Sequence, residues 1–572
     1  MITYFILQIP CNLIARGIKK KEVVMKKMRT EGSIAIGILL TLFFLASSCT
    51  AAIYVPDDYT TIQSAVDAAS PGDTIIVSDG TYTGNINVDK SLTIRSENGP
   101  DSTIVLDETS YMSVFYVTAN YVNISGFKVA SEGISLHYAD YCSITNNHCL
   151  NNSNIYLSYS NNNSISDNHC SSYKYGNSIF LIDSNNNRIT NNHCLNNEDG
   201  IFLIDSNTNR ITNNNCLNNE AGITLSDSNN SKLTGNIMLE NGISIWGDSI
   251  SGYTHEIDES NTVNGKSVFY EKDIEGGRVP DGAGQVILVN CSNVVVENHD
   301  LNNAREGILI AFSSFITIKN NNCNGAGISL AHSNNSKLTG NIMLENGISI
   351  WGDSISDYTH EIDESNTVNG KPVFYWKDIG SGKVPDDAGQ VILVNCSNVV
   401  VENQDLNNAR EDIFIAFSSF NTIKNNKCSS NSWAGISLRD SNNNSISNNN
   451  CLNNDEGIYL RDSNNNSISN NNCLNNAKSI VLWRANNNLI YLNNFIDNFG
   501  NVNSYESTNA WNSTEEITYT YNENTYINYL GNYWDNYNGS DADGDGIGDS
   551  SYSIDGDVDF YPLIKPWANY FA

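Results

Sequence analysis

The chain has 572 residues, a formal net charge of -32, 40 glycines, 9 prolines and only 16% charged side chains. So negative a surface repels phosphate backbones, which argues against nucleic acid as a partner. Polar segments rich in Asn with regular apolar punctuation argue against a string of independent globular cores, and point to a repeat architecture.

In chain order, residues 1–51 read as an export signal. "MKKMRTEGSIAIGILLTLFFLASSCTAA" begins at Met25, with Met28 as the alternative start, and the 24 residues before it read as an over-extended gene start. A basic opening, an apolar run from Ile34 to Ala46 and then small residues make a signal h-region, too short to span a bilayer. Cleavage after Ala51 is expected. A lipid on Cys49 is the lesser alternative, because Ala46 stands where a lipoprotein signal usually has Leu. No later apolar stretch reaches membrane length, so the mature chain is expected to be extracellular or at the cell surface, with no transmembrane span. Next, "DYTTIQSAVDAASPGDTIIV" (Asp58 to Val77) sets Ile62, Ala65, Val66 and Ala69 on one face. This predicts a short amphipathic helix, stopped by Pro71, that covers the first coil.

From residue 52 to about 500 the sequence cycles. Apolar triplets begin at Ile134, Ile155, Ile179, Ile201 and Ile223, in steps of 21, 24, 22 and 22 residues, and resume at Ile436, Ile458 and Ile480. Apolar residues alternate over short spans, Asn, Asp, Ser and Gly fill the corners, and no repeat unit holds a helical period. The expected fold is all-β: a single-stranded right-handed parallel β-helix with about 22 residues and three strands per coil. Ile189, Ile211, Ile446 and Ile468 then share an interior column, and Asn192, Asn214, Asn449 and Asn471 share an amide ladder at a bend. Cys149, Cys170, Cys194, Cys216, Cys323, Cys428, Cys451 and Cys473 each lie five residues after an inward apolar position. A column of small buried thiols fits better than a metal or redox wire, since in-register strands hold such pairs slightly too far apart for relaxed disulfides.

A longer duplication runs inside the coils. "SNNSKLTGNIMLENGISIWGDSIS" starts at Ser228 and recurs at Ser333, an offset of 105 that gives copies at about 228–332 and 333–437. Within it, Asn264-Gly265 and Asn369-Gly370 stand between β-formers, the pattern of a tight hairpin, and predict a small flap projecting from each copy. Residues 501–572, dense in Tyr and Trp, read as a C-terminal cap over an otherwise open sheet edge.

The opening coil sequence, the duplicated "SNTVNGKPVFYWKD" and the tail "YLGNYWDNYNGSDADGDGIGDSSYSIDGDVDFYPLIKPW" together resemble NosD-like, pectin-lyase-like β-helix surface proteins of methanogenic archaea. The resemblance covers nearly the whole mature chain. It implies the β-helix fold and an envelope location. It also implies, for NosD itself, an accessory role in copper-site maturation.

Four sets of residues carry candidate chemistry. Asp541, Asp543, Asp545 and Asp549, with the carbonyl of Ile547, sit in "DADGDGIGD", where Gly544 and Gly546 let hard oxygens converge on Ca²⁺. Tyr552 stands where an EF-hand needs its acidic twelfth residue, so a stabilising loop is expected and not a sensor. His148, His169 and His193 form an outward column that offers imidazole to copper, although equivalent coils carry Asn215, Asn450 and Asn472. Asp183, Asp205, Arg188 and Arg210 stack in columns like those of Ca-dependent polysaccharide lyases or glycoside hydrolases. The recurrence of Asp440 and Asp462 argues instead for structural corners. "THEIDES" gives His255 and Glu256 near Trp246, and again His360 and Glu361 near Trp351, as candidates for a cation or a glycan, although its intact recurrence reads first as module structure. The favoured reading is a non-catalytic exported cell-surface β-helix, a scaffold or adhesin touching polysaccharide or envelope glycans. A lyase or hydrolase and a copper-maturation accessory are the alternatives.

Overall fold

The computed structural model describes residues 52–571 apart from 110–111, 131, 152–153 and 172–175, and the expected export signal with Met25, Met28 and Cys49 lies outside the described residues. The rest is the expected parallel β-helix. One coil shows how it is made: strands Arg188–Thr190, His193–Leu195 and Asp199–Ile204 follow one another, and Arg210–Thr212 begins the next turn. Each three-residue strand turns only its middle side chain inward. At the corners the chain must turn sharply, and it does so through left-handed residues: Asn191 (φ 57°), Asn196 (φ 57°) and Asp205 (φ 49°). Asn and Asp tolerate this conformation far better than bulky or β-branched residues.

The doubled Asn of "TNNH" therefore does two jobs. The first Asn makes the left-handed turn, and the second enters the wall. Asn192 Nδ2 donates to Asn214 Oδ1 at 2.9 Å, and Asn214 Nδ2 to Asn236 Oδ1 at 3.0 Å. Each Oδ1 also accepts the backbone N–H of the preceding coil, as Asn214 does from Asn192 at 2.9 Å. The same chain of amides runs from Asn426 through Asn449, Asn471 and Asn493. Buried corner amides are thus paired along the axis.

The interior columns are in register. Ile189 faces Ile211, Cys194 faces Cys216, and Ile446 faces Ile468. All eleven cysteines among the described residues are free and buried, and burial pushes the Cys323 thiol up to about 12. A thiol reagent is therefore expected to leave these eleven unlabelled in the native protein and to label them on unfolding. Rapid labelling of Cys194 or Cys451 under native conditions would contradict the buried column.

The duplicated module differs from its expected form. Asn264 (φ 49°) and Gly265 (φ 77°) do make the tight turn, and Thr262–Val263 pairs antiparallel with Lys266 and Ser267. No flap projects. Lys266–Lys272 continues in the wall as the parallel partner of Gln285–Val289, because Val263 and Val268 are both 0% exposed and belong to the core. Beside this corner a side chain replaces ladder bonds. Gln285 Oε1 accepts from Ile243 N at 2.9 Å, and its Nε2 donates to Ile243 O at 2.6 Å and Glu306 O at 2.7 Å. Gln390 does the same for Ile348 and Glu411 in the second copy.

Both ends are covered. Helix Ile62–Ala68 is opened by a Thr61–Ser64 capping box and buries Ile62, Ala65 and Val66. At the other end the coil passes the expected boundary at 501: Gly500–Tyr505 pairs with Lys478–Trp483, and Tyr533–Trp534 with Asn494–Ile496. The Asn ladder then stops at Asn532, whose N–H donates to Asp559 Oδ2 at 2.8 Å, beside Trp534 Nε1 at 2.9 Å. Asp559 is 0% exposed, and burial raises its carboxyl to about 6. No helix among the described residues is long and apolar enough to cross a membrane.

Candidate functional sites

The Asp-rich loop lies within the C-terminal cap. Asp541, Asp543 and Asp545 bring carboxylate oxygens within 4.8 Å of one another. The backbone turns back through Gly544 (φ 75°) and Gly546 (φ 91°). Asp541 accepts from Gly544 N at 2.8 Å and Gly546 N at 3.0 Å, and Asp545 from Ile547 N at 2.7 Å. Tyr526 Oη donates to Gly544 O at 3.0 Å and Tyr570 Oη donates to Gly546 O, tying the loop to the aromatic cluster of the cap. Burial, then the charges of Asp543 and Asp541, raise the pKa of Asp545. Two expected ligands behave differently. Asp549 accepts from Ser540 Oγ and Ala542 N, both at 2.9 Å, and closes the base of the loop. Ile547 bridges to Leu563 and is buried in the cap.

His148, His169 and His193 are in register, with ring centroids 5.5 and 6.1 Å apart. Burial, then the flanking imidazoles, lower the pKa of His169. His148 Nδ1 stands 3.8 Å from Asp101, and His193 Nδ1 is 3.4 Å from Asn215 Nδ2. Strand alternation puts each neighbouring Cys on the opposite, interior face, so imidazole and thiolate do not meet.

His255 and His360 are buried members of the module. The Nδ1 of His255 accepts from Ser231 N at 3.3 Å, and its Nε2 donates to Gly252 O at 3.0 Å. His360 repeats this with Ser336 and Asp357. Both ring nitrogens are engaged, and burial lowers both pKa values to about 4. The cation-ligand expectation for them is corrected accordingly. Glu256 and Glu361 point outward to Lys232 and Lys337, while Trp351 packs against His332 and Tyr253.

Asp183, Asp205 and Asp227 are left-handed corners, with φ of 48°, 49° and 45°. Tyr159, Asp440, Asp462 and Arg484 hold comparable left-handed positions at strand ends. Asp205 has its pKa raised by burial and by Asp227 and Asp183, with neither Arg188 nor Arg210 among the causes. These Asp columns shape turns at the corners of the coils.

Sequence reasoning missed a charged set around Trp246. Trp246 Nε1 donates to Ser244 Oγ at 2.6 Å, and Ser244 to Glu306 Oε2 at 2.8 Å. Arg410 pairs with Glu306 at 3.1 Å and lies 5.7 Å from the Trp246 ring and 5.5 Å from the Trp433 ring. Arg305 stands 5.3 Å over Trp246. Burial raises Glu411 and Glu456 to about 7, and Asp199 to about 6. The available signal was charge at the position just before the repeated Gly-Ile or Asp-Ile, as in "REGI" and "REDI".

A family model described as periplasmic copper-binding protein (NosD) matches residues 66–270, 244–376 and 365–539. The chain belongs to the NosD family. A 93-residue stretch is 42% identical to a cell surface glycoprotein of Methanothermus fervidus, covering 16% of this chain and about 15% of the length of that relative. Solved structures to which this NosD-family chain is similar include polygalacturonase from Erwinia carotovora (12% identity, 56% of this chain and 96% of that one, TM-score 0.32). Bacteriophage phi29 gene product 12 is another (13% identity, 86% and 77%, TM-score 0.32). An alginate lyase from a Paenibacillus species also matches (14% identity, 55% and 97%, TM-score 0.24).

The NosD description names copper, and the donors present do not suit it. Among the described residues, the group of ligating side chains that meets is the all-carboxylate set Asp541, Asp543 and Asp545. Such hard oxygens favour Ca²⁺, whereas copper takes imidazole, thioether or thiolate.

Proposed function

We propose that this NosD-family protein is an exported, non-catalytic rod of the cell surface, a scaffold or adhesin that contacts glycans, with Ca²⁺ stapling its cap. The observation that carries the reading is that the stacked Asp and Arg columns are left-handed corners and outward strand positions, repeated for structure. The printed name of the Methanothermus fervidus relative, a cell surface glycoprotein, supports the location. A glycan array paired with a polysaccharide-cleavage screen in the presence of Ca²⁺ tests it. Binding without cleavage is expected, and unsaturated sugar products would overturn the non-catalytic assignment.

The Ca²⁺ assignment has its own test. Extracellular Ca²⁺ modules bind at about 10⁻⁴–10⁻³ M, so 10 mM Ca²⁺ should stabilise the cap by roughly 1.5–2.5 kcal/mol. Asp543 is exposed and accepts only a long bond, from Asp545 N at 3.4 Å, so Asp543→Asn should abolish the Ca²⁺ effect while leaving the fold intact. Equal stabilisation of wild type and variant, or by Mg²⁺ as well as Ca²⁺, would remove this loop as the site.

A further inference from the structure

A cleft of about 740 Å³ opens where the last coil meets the C-terminal hairpin, within the roughly 300–1,000 Å³ of small-ligand sites. Strand Gly500–Tyr505 and the corner before it form one side, and the hairpin of Tyr552–Ile554 and Asp557–Asp559 forms the other. Three features of its lining bear on what it holds.

The first is an aromatic left in water. Phe499 is 93% exposed, although the corner that carries it is fixed, since Asn476 Nδ2 donates to Asn498 Oδ1 at 3.1 Å. Lys478 Nζ lies 5.9 Å from the ring centroid. Across the cleft, Tyr552 stacks on Trp534 at 4.4 Å, which holds its ring rigid. An exposed ring facing a held, half-buried one suits the apolar face of a sugar.

The second is the hydrogen-bonding set. Asn536 Oδ1 accepts from Tyr552 Oη at 3.0 Å and Asn501 Nδ2 at 3.2 Å, so these three groups are pre-oriented. Asn501 Oδ1 is buried and has no hydrogen-bond partner.

The third is charge. Asp497, Asp535 and Asp555 line the cleft, and Lys478 reaches its rim beside the Phe499 ring, so carboxylates outnumber the cation there. Carboxylates accept hydroxyl donors and repel uronates, sulfates and phosphates. These three are also outside the one carboxylate cluster, among the described residues, close enough to hold a metal ion.

We propose that this cleft binds a neutral oligosaccharide, with the rings of Phe499 and Tyr552 against sugar faces and Asp497 taking hydroxyls. The proposal rests on the glycan-contacting reading above and gives it an address and a ligand class. Titration calorimetry of the full chain with neutral hexose oligosaccharides, uronate and sulfated oligosaccharides, and a Lys-rich peptide tests it. Phe499→Ala and Asp497→Asn alter exposed side chains, and circular dichroism confirms that each variant folds. Neutral oligosaccharides should bind wild type, with affinity falling at least tenfold in either variant. Neutral binding that both variants retain would overturn the cleft but leave the glycan reading standing. Failure of wild type to bind any glycan would overturn both. Preference for the anionic sugars, or peptide binding that the variants lose, would overturn the ligand class assigned here.

Discussion

Replacing Asn214 by Leu is expected to destabilise the central coils by about 4 kcal/mol, although the two side chains have the same branched shape. Asn214 is fully buried. Its Nδ2 donates to Ile189 O at 2.9 Å and to Asn236 Oδ1 at 3.0 Å. Its Oδ1 accepts from Asn192 N and from Asn192 Nδ2, both at 2.9 Å. Leu removes every one of these and leaves buried groups on Asn192, Ile189 and Asn236 short of partners, at about 1–3 kcal/mol for each that stays unsatisfied. Cys194→Ala, in the adjacent interior column, removes only a buried thiol and should cost about 1–2 kcal/mol. Because a stacked array can unfold in parts, native-state hydrogen exchange at the Asn192 and Asn214 amides is the direct measurement. A loss below about 1 kcal/mol for Asn214→Leu would mean that the amide ladder is decoration and that apolar burial alone holds the coils.

The protein should be more stable near pH 5 than near pH 7.5. Burial raises Glu411 and Glu456 to about 7, and Asp199 and Asp559 to about 6. For an acid whose folded pKa lies above its unfolded value, the native state holds the proton more tightly. That stability is complete below pH ~4 and is lost as pH climbs through the folded pKa. A shift of about two units corresponds to roughly 3 kcal/mol for a fully buried group, an upper figure for each. His255 and His360 act in the opposite sense. With folded pKa values lowered to about 4 by burial, their contribution is complete above pH ~6.5 and is lost as pH falls toward 4. Between pH 5 and 7 these four acids lose stability, as does Asp412, whose carboxyl burial also raises. His255 and His360, with His137, His169 and His299, whose pKa values burial also lowers, regain it only up to pH ~6.5, so the net slope is downward. Urea midpoints across pH 4.5–8 should therefore fall on the alkaline side. Glu411→Gln should flatten the profile, since Glu411 is 1% exposed and one of its oxygens has no partner. A midpoint that rises steadily from pH 5 to 8 would contradict the buried, protonated state of these acids.

Much of the fold was legible because the period carries its own register. A slip of one residue between Ile189 and Ile211 would turn every inward side chain outward, so spacing alone set the columns that the strand pairs display. What escaped was non-local. Nothing in the local sequence marks Gln285 as the partner of Ile243, 42 residues away, or Arg410 as the partner of Glu306, 104 residues away. At Asn264-Gly265 the local turn chemistry was read correctly and its destination was not, because Val263 and Val268 keep the inward schedule across the turn. For the candidate sites, Asp541, Asp543 and Asp545 meet because they are near neighbours in sequence. Asp549 does not join them because the nearby N–H of Ala542 and hydroxyl of Ser540 claim its carboxylate. His255 is buried module structure, as the intact recurrence of its motif suggested, and its ring nitrogens are taken by Ser231 and Gly252.

The paired glutamines have a consequence for how such a chain grows. Each 105-residue copy brings its own plug, Gln285 in the first and Gln390 in the second, and each plug mends the seam to the strand before it in the same way. A gene that gained or dropped a whole copy would inherit sealed joints and an uninterrupted axis. The length of the stack can therefore change in fixed increments by recombination, while its two covered ends stay as they are.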